Sequence, residues 1–270
     1  MLRIPAVAGR FYKGNPESLK KQIAEFVIPA ERRNAIGIMS PHAGFQYSGT
    51  VAGAVYSSIH LPDTIVLIGP NHTGFGAAVS IMTKGEWETP LGTVPIDEQL
   101  AASILSKSRR MYEDTLAHVQ EHSLEVQLPF IQYFKTDFKI VPIQMLDTRL
   151  DTCLEVGKAI GEAIQELSKQ SRLNALIVAS SDMTHYESAA VAKENDFKAI
   201  QKILSLDPEG LYKTVKQLAI TMCGVGPTVA MLVAAKLLGA TKAELIKYAN
   251  SGDVSGDYNQ VVGYAGVVIG

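Results

Sequence analysis

The chain has 270 residues, 47% of them hydrophobic, which is enough for a full core and too many for a disordered chain. Its 25 Lys and Arg against 27 Asp and Glu leave a net charge of −2, which argues against broad electrostatic binding to nucleic acid or a membrane surface. No apolar run approaches the roughly 18 residues of a spanning helix. Met1–Val7 lacks the apolar core of a signal peptide, and the only cysteines are Cys153 and Cys223, so a reduced, cytoplasmic protein without a disulfide is expected.

Met1–Lys13 reads as a packed amino-terminal arm, or else as a segment whose Arg10, Phe11 and Tyr12 line a pocket mouth. Asn15-Pro16-Glu17 opens a helix, with Asn as cap and Pro at the first helical position, and Pro29 closes it. Ala35–Met39 is a strand running into Ser-Pro-His-Ala-Gly, which places His42, and Thr50–Ser58 follows as a helix. His60 reads as a helix-end histidine. Ile65–Ile68 is a second strand, stopping at Gly-Pro-Asn-His-Thr-Gly and placing His72. Short apolar runs bounded by turn formers are the pattern of buried parallel strands, and open α/β sheets gather function beyond the carboxyl ends of such strands.

Val79–Met82 is a further strand, and Gly85–Gly92 a turn-rich excursion with Trp87 as a packed anchor. Asp97 caps the next helix. Lys139–Met145 is a strand whose Pro142 points to an edge or a bulge. Asp151 caps a helix with Cys153 on its inner face. Leu176–Ala179 is the third inner strand and delivers Asp182 and His185 in Ser-Ser-Asp-Met-Thr-His. A polar helix to about Leu204, a helix from Asp207 and a Cys223-Gly224 hinge opening the helix Thr228–Leu238 come next. Strands Glu244–Ala249 and Val261–Ile269 close the chain around a turn-rich loop. No repeat or linker interrupts it, so one domain over residues 1–270 is expected.

His42, His72 and Cys223 each stand in a Gly- or Pro-bounded bend, and imidazole and thiolate are good ligands for Fe, Zn or Cu. Spacing alone leaves open three unrelated loop residues. Asp182 and His185 form a D-x-x-H pair in which a carboxylate can fix an imidazole tautomer. The alternative is a turn-capping Asp and a packing His. His118 to His122 matches H-x-x-E-H, the inverted zinc-peptidase pattern. It stands before the expected helix start at Ser123, so Glu121 and His122 read as the rim or outer shell of the same site.

AVAGRFY, SPHAGFQYSG, IGPNHTG, EHSLEVQLPF, VASSDMTHY, TMCGVGP and VVGYAG occur in order along nearly the whole chain. In these pieces the sequence resembles the MEMO family, also called AmmeMemoRadiSam system protein B, which is similar in fold to the class III extradiol dioxygenases. The resemblance implies a single α/β domain with a central, mostly parallel sheet and helices on both faces. It implies metal ligands at His42, His72 and Cys223, with Cys223 standing where the ring-opening enzymes have a carboxylate. His185 falls at their acid/base histidine, and Asp182 and His122 line the same cleft. Fe(II) is the expected ion, with Zn or Cu favoured more by a thiolate than by a carboxylate. Two functions follow as expectations: a metal-dependent, dioxygenase-like oxidoreductase, or a non-catalytic protein whose retained cleft receives a peptide or small ligand.

Overall fold

The computed structural model describes residues 1–171 and 173–270. The strands are β1 (Leu2–Arg3), β2 (Gly37–Ser40), β3 (Thr64–Pro70), β4 (Val79–Ile81), β5 (Glu86–Thr89), β6 (Gly92–Pro95), β7 (Tyr112–Glu113), β8 (Lys139–Met145), β9 (Ala175–Ser180), β10 (His185–Glu187), β11 (Ala243–Asn250) and β12 (Val261–Ile269). The helices are α1 (Pro16–Ala24), α2 (Phe45–Ser57), α3 (Glu98–Lys107), α4 (Leu116–Val119), α5 (Leu128–Phe134), α6 (Leu150–Ser171), α7 (Ala189–Leu204), α8 (Pro208–Gln217), α9 (Val225–Leu237) and α10 (Gly252–Ser255).

The main sheet runs β10-β12-β2-β9-β3-β8-β4-β7, with β11 added against β12. Its centre, β2-β9-β3-β8, is parallel. The flanking β12 and β4 are antiparallel to it, so this α/β sheet keeps a parallel centre but is mixed rather than purely parallel across its width. Every residue of β2, β3 and β9 is buried, as expected for strands covered on both faces. Helix α9 covers one face: a methyl on Gly37 of β2 would come within 2.8 Å of the Met231 sulfur. Helix α2 covers the other, where a methyl on Gly266 of β12 would come within 2.4 Å of Val55. Helix α6 packs outside α9, and Gly157 lets the two backbones meet, since a Cβ there would lie 2.4 Å from the Ala230 carbonyl oxygen. Among the described residues no helix is long and apolar enough to cross a membrane.

Local chemistry explains most boundaries. Asn15, Asp97 and Asp207 accept hydrogen bonds from the first backbone N–H groups of α1, α3 and α8. Gly239 takes φ +93° just past α9, the left-handed stop that glycine tolerates best. Several boundaries differ from expectation. Helix α1 ends at Ala24, ahead of Pro29. Helices α2 and α9 start at Phe45 and Val225, because their glycines are tolerated in buried helical turns. Asp151 lies inside the first turn of α6 and pairs with Arg110 instead of capping.

Pro142 sits in an interior strand rather than at an edge. Its carbonyl accepts from Met82 N–H at 3.3 Å, so its missing donor falls on the β4 side just where β4 has ended. The excursion around Trp87 is the β5–β6 hairpin, which with β1 makes a second small sheet. Trp87 is fully buried, with the Arg3 guanidinium 4.5 Å from its ring centre.

Candidate metal centre

His42, His72 and Asp182 each lie two residues beyond the carboxyl end of a parallel strand, β2, β3 and β9 respectively. Register brings the three ends level: Ser40 pairs with Ser180, and Ile68 with Ala179. The chain there must leave the sheet, and beyond it the His42 ring comes to lie 5.3 Å from that of His72 and 5.6 Å from that of His122, centre to centre. Cys223 arrives from the far side. Gly224 presses against the end of β9, where a Cβ would lie 2.4 Å from both the Ser180 carbonyl oxygen and Ser181 Cβ. That contact sets the Cys223 Sγ 3.2 Å from His42 Nε2.

One ring nitrogen from each of His42, His72 and His122 lies within 4.8 Å of the others. The rings of His72 and His122 stack with centroids 4.9 Å apart, and Phe11 closes on His122 at 4.8 Å. The structure thus brings His42 and His72 together with His122, which the expected ligand set did not include, whereas Cys223 meets His42 through its sulfur and stands outside the histidine group. His118, at the other end of the H-x-x-E-H match, is outside that group. It is buried in α4, with Nε2 3.2 Å from Ser80 Oγ and its ring against Trp87.

Hydrogen bonds settle which nitrogens are free. Ser180 Oγ donates its only proton to the Ser123 carbonyl at 2.6 Å, so it must accept from His42 Nδ1–H at 2.9 Å. His42 Nε2 therefore carries a lone pair toward Cys223. His72 Nδ1 lies 3.0 Å from Glu121 Oε1, and His122 Nδ1 lies 3.3 Å from the same oxygen. A carboxylate only accepts, so the His72 ring keeps its proton at Nδ1 and leaves Nε2 free, while His122 is hydrogen-bonded to Glu121 by its backbone N–H at 2.9 Å. His185 Nδ1 donates to the Thr221 carbonyl at 3.0 Å, again freeing Nε2.

Glu121 is fully buried at the hub of this array. Burial works against its charge, but the hydrogen bond from His72, the neighbouring imidazoles and the N–H of Ser123 hold it ionised down to about 2. Burial, reinforced by the neighbouring imidazoles, depresses His42 well below the usual histidine range, so it is neutral and able to ligate. Burial also lowers His122. Asp182 accepts from His42 N–H at 2.8 Å, and burial raises its carboxyl to about 6. Burial and then the Asp182 charge push the Cys223 thiol up, so it holds its proton until an ion displaces it. It receives the Asp182 N–H at 3.3 Å.

Four supporting residues escaped the sequence reading. Gln127 ties strand ends together, donating to the Pro41 carbonyl at 2.9 Å and Ser180 Oγ at 2.8 Å. Ser180 itself fixes the His42 tautomer. Arg3 and Glu125, 122 residues apart in sequence, form a buried ion pair. Arg3 also donates to the Glu121 carbonyl at 2.7 Å, and Glu125 accepts from Val7 N–H at 3.0 Å and Tyr12 Oη–H at 2.6 Å. The amino-terminal arm thereby clamps the segment that carries Glu121 and His122. The only sequence signal was Glu125 inside EHSLEVQLPF, a charge in an apolar stretch.

Comparison with known proteins agrees with this architecture. A MEMO1 family protein of Methanopyrus kandleri is 46% identical over 283 residues, covering 99% of each chain. Counterparts in Methanothermobacter thermautotrophicus and Methanosarcina acetivorans are 44% and 46% identical, covering 98% and 99% of this chain and 99% of their own. The crystal structure of an uncharacterized protein, JW3007, from Escherichia coli K12 matches with a TM-score of 0.55 at 11% identity, over 86% of this chain and 98% of that one, a likeness of fold. The family model described as Memo-like protein matches residues 3–268, and the chain belongs to the Memo-like family.

Proposed function

We propose that this protein binds a redox-active metal ion, Fe(II) by preference, through His42, His72 and Cys223, and acts as a dioxygenase-like oxidoreductase on a small molecule in the cleft. The observation that carries the reading is the approach of Cys223 Sγ to His42 Nε2 beside a group of imidazoles whose Nδ1 protons are already committed. Such a donor set fits Fe, Zn or Cu. When bound, an open-sided ion of this kind supplies Lewis-acid activation and, if iron, access to oxygen chemistry.

The chain's own residues would do the rest. Glu121 orients the His72 ring through its Nδ1 proton and holds the His122 backbone N–H. Asp182 holds the His42 backbone. His185, with Nε2 free, takes or returns a proton of the bound molecule, a service worth about 10²- to 10⁴-fold in rate. His122 stands close enough either to join the ion or to contact that molecule. Both cysteines are free thiols, in keeping with a reduced, cytoplasmic setting.

The test is anaerobic purification with elemental analysis, followed by oxygen uptake with Fe(II) and a catechol panel. About one equivalent of metal with oxygen consumption abolished in His185→Ala supports the proposal. Tight ligand binding with no turnover would favour a non-catalytic cleft for a peptide or small ligand, and an absence of metal binding would remove the proposal altogether.

A further inference from the structure

Tyr264 stands on β12, the strand beside β2, whose end carries His42. It is 1% exposed, yet among the described residues its phenol oxygen has no hydrogen-bond partner. Buried tyrosines usually satisfy their hydroxyl. The oxygen is also absent from the fully enclosed unpaired atoms, Ser40 Oγ, His118 Nδ1 and Thr184 Oγ1, so the sliver of Tyr264 that reaches solvent includes it. A polar atom is left free at the end of an otherwise sealed ring.

Register shows where. Strand β12 pairs with β2 so that Val267 faces Met39, Val268 faces Ile38 and Ile269 faces Gly37. The pairing ends at Met39, so Tyr264 lies three residues further along β12, on the side where β2 has run out toward His42. The parallel pairing of Ser40 with Ser180 sets Asp182 level with His42. Asp182, whose charge reaches the Tyr264 phenol, also accepts the His42 backbone N–H at 2.8 Å, so the three residues gather at the mouth of the sheet. Tyr264 shares its face of β12 with Gly266, which lies under Val51 and Val55 of α2, so its ring lies toward the first turn of α2, directly after the His42 loop. Burial first and then the charge of Asp182 push the phenol up, so it stays protonated and remains a donor at neutral pH.

Building on the metal reading above, we propose that Tyr264 is a ligand-binding residue of the cleft, its phenol O–H donating a hydrogen bond to an anionic oxygen, phenolate or carboxylate, of the bound molecule. A hydrogen bond to a charged oxygen is among the stronger kinds, and losing one costs about tenfold in affinity. The free hydroxyl makes no contribution to the fold, so Tyr264→Phe removes the donor and leaves the packing.

The experiment uses the full chain loaded with Co(II) and two probes, 4-nitrocatechol for phenolate and oxalate for carboxylate, compared between wild type and Tyr264→Phe. Cobalt uptake and thermal midpoint stay unchanged, and affinity for at least one probe falls about tenfold. The probe affected names the ligand class. Indistinguishable affinities for both probes, failure of the cobalt-loaded wild type to bind either, or unfolding of Tyr264→Phe would each overturn the assignment while leaving the metal site standing. Failure of the wild type to take up cobalt would remove the metal reading and this assignment with it.

Discussion

His72 Nδ1 lies 3.0 Å from Glu121 Oε1, and the same carboxylate accepts the backbone N–H groups of His72, His122 and Ser123. One buried acid therefore sets the His72 ring tautomer and the loops that carry both His72 and His122. Glu121→Gln can no longer accept at both oxygens, and metal affinity should fall about 10- to 100-fold, the usual cost of losing such a partner. Competition with a chromophoric chelator measures it.

The Arg3–Glu125 pair is buried and further bonded at nearly every polar atom. Removing one partner strands the other charge. Arg3→Ala or Glu125→Ala should each cost about 3–5 kcal/mol in urea unfolding. The loss releases the amino-terminal arm and with it the Glu121 segment, so metal affinity should fall in the same variants.

His118 is fully buried, and burial lowers its imidazole to about 3 against an ordinary value near 6.5. The folded state thus prefers neutral His118, while the unfolded chain takes up a proton below about pH 6.5. Its contribution is complete above that pH and drains away as pH falls toward 3, by at most about 1.4 kcal/mol per pH unit. His118→Gln should flatten the acid side of the stability profile in that window, as read by denaturant melts across pH.

Gly224→Ala would thrust a methyl into the end of β9. The hinge must back away, carrying Cys223 from His42. A loss of about 1–3 kcal/mol is expected from the overpacking. Metal content should fall further than this modest destabilisation explains.

Much of this was legible because it is local. The abrupt ends of β2, β3 and β9 announce His42, His72 and Asp182, and the helix caps at Asn15, Asp97 and Asp207 follow from side chains reaching their own next turn. What stayed hidden depends on distant partners. Nothing near Arg3 announces Glu125. Glu121 reads as rim or outer shell of the site, and its place as a buried hub shows only when three backbone N–H groups are seen to converge on it. Pro142 argued for an edge because a strand's neighbours are invisible in its own residues, and here β4 stops where the missing donor would have mattered. His122 was placed at the rim, whereas the fold stacks its ring on His72.

The most direct measurement is the near-ultraviolet absorption of the Co(II)-loaded protein, because a thiolate bound to cobalt gives a charge-transfer band that imidazoles do not. The account predicts that band in wild type, its disappearance in Cys223→Ser, and loss of cobalt binding in His42→Ala, with all three proteins folded. A cobalt protein with no thiolate band, or one whose spectrum is unchanged by Cys223→Ser, would contradict it.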